Sequence, residues 1–162
     1  MCFRLAASLT FVLMVGSGDA RAQGRQLVGA VAESIGGVDT IVLGWLTENR
    51  SGPPDKVVVR QDDPGADGRE GAITALTRRA NLRLLSGGAS RDCRADKSSC
   101  IQRGERLIDL LPARLIPTNG TWRLTYVLSE LVDGSVFDSV WHVDVVEEPG
   151  GWRITDVVGL SY

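Results

Sequence analysis

Histidine is nearly absent. His142 is the only one in 162 residues, so any imidazole chemistry must pass through it, and a zinc site lacks the ligands it needs. Lysine is almost as scarce, with Lys56 and Lys97 alone, and the formal net charge of −2 leaves no basic excess. A nucleic-acid partner needs a concentrated positive stripe and is not expected. The densest basic group, Arg78, Arg79 and Arg83, suits the solvated side of a helix end. Nucleophile and phosphate motifs are missing too. Ser34-Ile35-Gly36 and Ser86-Gly87-Gly88 are not the Gly-x-Ser-x-Gly elbow, and Gly65, Gly68 and Gly71 lack the lysine and spacing of a phosphate loop. No metal set and no cofactor are expected.

What is present begins with an export signal. Arg4 gives a positive start, residues 5–15 form an apolar run, and Ala20-Arg21-Ala22 has the small-x-small pattern that a signal peptidase accepts. The run falls short of the roughly 20 residues of a membrane span, and Gly16, Gly18 and Asp19 follow it. Cleavage after Ala22 removes residues 1–22 with Cys2, which precedes the apolar run and so is not placed for lipid attachment. Residues 23–162 then form a soluble chain of one domain's size, periplasmic or secreted, with no membrane span. Cys93 and Cys100 remain, and in an oxidising compartment so close a pair is expected to be a disulfide. A redox-active pair would usually be spaced two apart and open a helix.

Along the chain, Leu27, Ala30, Val31, Ser34 and Ile35 have helical spacing over residues 26–35, and Gly36-Gly37 reads as the stop. Residues 38–47 carry Ile41, Val42, Leu43, Trp45 and Leu46, which favours a strand but leaves a buried helix open. Val57-Val58-Val59 is a short strand near an edge or leading into the next loop. Asp67 and Glu70 resemble a capping box that opens a second helix ending near Asn81. Leu82, Leu84 and Leu85 run into the polar, cysteine-bearing loop over residues 87–103. Residues 107–116 are apolar, but Pro112 argues for a bent or edge strand.

The last quarter organises the rest. Residues 122–131, 136–146 and 152–158 read as three strands, broken by Asp133-Gly134 and by Pro149-Gly150-Gly151. Alternation puts Trp122, Leu124, Tyr126 and Leu128 on one face. Phe137, Trp141, Val143 and Val145 share a face of the second strand, and Trp152, Ile154 and Val158 one of the third. The expectation is an α+β domain: an antiparallel C-terminal β-meander whose aromatic wall is covered by two N-terminal-half helices. Thr121-Trp122-Arg123-Leu124-Thr125-Tyr126, Val143-Asp144-Val145-Val146 and the closing Gly150-Gly151-Trp152-Arg153-Ile154 resemble the ending of small exported bacterial α+β domains of the cone-shaped nuclear-transport-factor-like type. The resemblance covers the last third. It implies a curved sheet that can enclose a cavity, and no reaction by itself.

Asp138, His142 and Asp144 share the face opposite the aromatic one. Flanking carboxylates could raise the histidine pKa and orient it as a general acid or base, although the alternation rule turns this face to water. Tyr126 and Asp156 instead fall on the apolar-face register, where a buried carboxylate must be paired or proton-shifted. Two function classes follow. One is a non-enzymatic binding or accessory module of the cell envelope, with a protein partner. The other is a cavity that binds or isomerises a small apolar ligand, using Asp156, Tyr126 or His142.

Overall fold

The computed structural model describes residues 24–48, 56–61, 82–85, 89, 92–93, 95–101 and 105–161. The expected signal and the expected second helix over residues 67–81 lie outside the described residues. In chain order the elements are a 3-10 turn Arg25–Leu27, β1 Val31–Ala32, α1 Ile35–Glu48, β2 Lys56–Gln61, β3 Leu82–Leu85, a 3-10 turn Lys97–Ser99, β4 Glu105–Ile116, β5 Thr121–Val132, β6 Ser135–Glu148 and β7 Gly151–Ser161. The strands form one seven-stranded sheet in the order β1-β7-β6-β5-β4-β2-β3. β2 runs parallel to both β3 and β4, and the remaining neighbours are antiparallel. The domain is α+β, with the expected antiparallel meander at its C-terminal end.

The meander follows from its turns. Val132 faces Ser135 across a two-residue loop, and both loop residues have positive φ, 49° at Asp133 and 81° at Gly134. That backbone twist matches the right-handed twist of the flanking strands. At the second turn Gly151 has φ 140°, and a Cβ there would lie 2.3 Å from the Ala32 carbonyl oxygen. Glycine therefore lets β1 lie against the start of β7.

One face of the sheet carries the core. α1 packs Val38, Val42, Leu43, Trp45 and Leu46 onto Leu124, Tyr126, Trp141, Val143, Val145 and Ile154. Burying each such side chain contributes about 1.5–3 kcal/mol. Trp45 meets Trp141 edge to face at 4.8 Å, and Trp122 meets Trp152 at 6.4 Å. The three sheet indoles thus form one wall, with Trp141 fully buried and Trp122 and Trp152 packed against the same cluster.

Several expectations are corrected. Residues 26–35 are not a helix: Gly29, at φ 91°, breaks the chain after a single 3-10 turn. Residues 38–47 belong to a helix rather than a strand. Gly36 and Gly37 lie in its first turn, because Ser34 caps it by accepting from the Gly37 amide at 3.1 Å. Beyond α1, residues 24, 89, 92–93 and 95 are also α-helical, so the stretch over residues 87–103 is not wholly a loop. β2 is paired on both sides and lies next to the edge strand β3, near the edge as expected. β4 is interior as well, and it tolerates Pro112 because pairing with β2 ends at Leu110 and the register with β5 shifts between Leu111 and Arg114. Finally, the β6–β7 register shifts between Asp144 and Val145, leaving Thr155 as an extra residue. Such a bulge exchanges faces: Val157, not Val158, joins Ile154 in the core, and Asp156 turns to the other side.

Candidate functional site

The face of the meander away from α1 carries a row of polar side chains set opposite one another by strand register. Arg123 opposes Asp144, Thr125 opposes His142, and Ser129 opposes Asp138. Each pair closes into contact. Arg123 donates to both Asp144 oxygens, Nε to Oδ1 at 2.7 Å and Nη2 to Oδ2 at 2.8 Å, a charge-assisted fork. Thr125 Oγ1 lies 3.0 Å from His142 Nδ1. Ser129 donates to Asp138 Oδ1 at 2.6 Å.

At one end this face is roofed by the cysteine loop. Cys93 and Cys100 are joined in a disulfide, with Cα atoms 5.4 Å apart. Cys93, Ile101 and Leu107 form a second apolar cluster with Leu131 and Val136. Asp96 caps the 3-10 turn by accepting from the Ser98 amide at 2.9 Å. From that turn Lys97 Nζ reaches the sheet, donating to Asp138 Oδ2 at 2.6 Å and Ser129 Oγ at 3.0 Å, with Asp109 Oδ2 at 4.0 Å.

The electrostatics follow from these contacts. For Asp138, burial would raise the carboxyl pKa, but the hydrogen bonds from Lys97 and Ser129 and the charge of Lys97 prevail, holding it below its ordinary value. His142 departs from the expectation that two carboxylates would raise its pKa. Burial lowers it first, the Arg123 charge lowers it further, and Asp144 alone opposes them. Asp138 serves Lys97, and Asp144, forked to Arg123, offsets the lowering only in part. His142 is therefore neutral at pH 7. Arg123 moves up, chiefly through its hydrogen bond to Asp144, with Asp156 adding to the attraction.

Of the five residues singled out in the sequence, four share the outer face and Tyr126 lies on the inner one. Asp138, His142 and Asp144 line the outer face as expected, though half-buried by their pairings rather than freely solvated. Tyr126 is fully buried on the inner face and donates to Asp39 Oδ1 of α1 at 2.6 Å. Asp156, expected on the apolar register, is exposed on the outer side, where its Oδ1 accepts from the Val157 amide at 2.9 Å. It borders a half-open cavity of about 220 Å³ lined also by Arg25, Val157 and Val158. Asp39, Lys97 and Arg123 are the partners that sequence reasoning missed. Arg123 was within reach, since counting back from the two-residue turn sets it opposite Asp144.

Among the described residues no group of three or more histidine, cysteine or carboxylate side chains is arranged to hold a metal ion, and no helix is long and apolar enough to cross a membrane. The chain matches no protein-family model, no curated protein and no solved structure.

Proposed function

We propose that this is an exported, non-enzymatic binding or accessory module of the cell envelope, periplasmic or secreted. One observation carries the reading: the polar groups best suited to catalysis are engaged with structural partners, Asp138 with Lys97, Asp144 with Arg123 and Tyr126 with Asp39. A general acid or base must be able to reach a substrate proton, and these groups instead hold strands, loop and helix together. The disulfide suits an oxidising compartment. The test is to express the full chain with a C-terminal tag, sequence the N-terminus of the product, and identify cross-linked neighbours by mass spectrometry. A product beginning at Gln23 with an envelope protein bound supports the proposal. A full-length cytoplasmic product with free thiols at Cys93 and Cys100 overturns it.

A second reading, a small-molecule site, is favoured by the cavity beside Asp156. Its volume is below the usual range for ligand pockets, roughly 300–1,000 Å³, so a small ligand is implied. Amide shifts at Val157 and Val158 on titrating a fragment library, lost in Asp156→Ala, would establish it. Turnover unchanged in His142→Ala would remove His142 from any chemistry found.

A further inference from the structure

Lys97 is the one described side chain that ties the cysteine loop to the polar row of the sheet, and it comes from the turn between the two bridged cysteines, which are seven residues apart. The turn's own hydrogen bonds are local. Asp96 accepts from the Ser98 amide and hydroxyl, and its carbonyl accepts from Ser99. They shape the loop without anchoring it to β5 or β6. The anchors are the lysine contacts and the small apolar cluster of Cys93, Ile101 and Leu107. A partly exposed ion pair holds little by itself, and fixing a long side chain costs rotamer entropy. The covalent ring removes much of that cost by presenting Lys97 to the sheet already positioned.

We propose that the Cys93–Cys100 disulfide is a redox-opened latch: closed, it seats Lys97 on Ser129 and Asp138 beside Asp109, and reduction by a dithiol releases the lysine and uncovers that end of the outer sheet face. The inference goes beyond the envelope reading and does not depend on it. The exposures set the route. Cys93 is 1% exposed, whereas Cys100 is only partly buried, so the reductant's thiolate attacks the Cys100 sulfur and Cys93 leaves as thiolate. The reductant's second sulfur then resolves the mixed disulfide. The protein's S–S bond breaks and the reductant's forms. Two electrons and two protons pass to the cysteines. The anchors lost are those of the turn, while the core under α1 shares no residue with the second cluster.

The chain contains only two lysines, Lys56 and Lys97, which makes Lys56 an internal reference. The purified protein is acylated with an N-hydroxysuccinimide ester, oxidised and after dithiothreitol, and each lysine's rate is followed by peptide mass spectrometry. Free thiols are counted and tryptophan emission is recorded in parallel. Reaction through a local opening equilibrium scales with the open fraction, so Lys97 should react about tenfold faster after reduction. Lys56 and tryptophan emission should not change. The Cys93→Ser/Cys100→Ser double variant should match the reduced protein, and if it fails to fold the reduction arm decides. An unchanged Lys97 rate with both thiols free overturns the latch. So does joint acceleration of both lysines with unfolded-like emission, or a disulfide that opens only in denaturant.

Discussion

Arg123 sets the charge state of the chain's one histidine. It withdraws Asp144 through a two-point fork and adds its own positive charge beside a half-buried imidazole. Replacing it with glutamine removes the repelling cation and frees the neighbouring carboxylate, so Arg123→Gln should raise the His142 pKa. The measurement is a proton NMR titration, in which a single imidazole assigns itself. An unmoved midpoint would mean that burial alone sets the value. Gly159 carries a different constraint. A Cβ there would lie 2.5 Å from Cζ3 of Trp141, and that indole is buried and packed against Trp45. Overpacking of this kind costs about 1–3 kcal/mol. Gly159→Ala should lower the urea midpoint accordingly, and a neutral result would show that the Trp45–Trp141 stack can slide.

α1 shows where local sequence signals mislead. Paired glycines usually close a helix, yet here Ser34 caps one that Gly36 and Gly37 open. Its buried stripe, Val38, Asp39, Val42, Trp45 and Leu46, has helical spacing, but β-branched and aromatic residues over 38–47 also suit a strand, and only docking on the sheet decides between them. Gly44 is the position that packing does not require, since a Cβ there meets nothing within 4 Å. Gly44→Ala should therefore stabilise the protein by about 0.5–1 kcal/mol through helix propensity, read from equilibrium denaturation. No change would indicate that the helix interior is held by contacts that already override propensity. The meander was legible for the opposite reason: its two-residue turn and strict alternation fix register, and register alone pairs Arg123 with Asp144 and Thr125 with His142. The bulge at Thr155 was not legible. Nothing in Thr155-Asp156-Val157 marks one residue as extra, although Thr155 Oγ1 donates to the Asp144 carbonyl there at 3.0 Å. One inserted residue moved Asp156 from the expected core register to the surface. The parallel placement of β2 and β3 and the Asp39–Tyr126 contact depend on long-range packing, to which a local pattern is blind.

At the scale of the molecule, the described residues cover the sheet twice, by α1 on its aromatic face and by the disulfide loop over one end of its polar face. The second cover is the weaker, and the ring between Cys93 and Cys100 should supply about 2–3 kcal/mol of it by loop-closure entropy. Two of the perturbed groups on the polar face, His142 and Asp138, make the fold sensitive to acid. His142 has a folded pKa below its ordinary 6.5, so as pH falls the unfolded chain takes up the proton first. Its contribution to stability is intact above 6.5 and is lost on the way down through the folded value. Asp138 has a folded pKa below its ordinary 3.8, so its contribution is intact above 3.8 and is lost as pH falls through the folded value. The stability of the wild-type protein should therefore decline in two stages, the first beginning below pH 6.5 and the second below pH 3.8. His142→Asn should flatten the first stage and leave the second. Lys97→Met should act on the second stage instead: with burial no longer opposed by the ammonium, the folded Asp138 pKa rises toward its ordinary value and the second stage shrinks. Chemical denaturation measured from pH 7.5 to pH 3 in all three proteins separates the stages, and coincident curves would mean that neither group is coupled to folding.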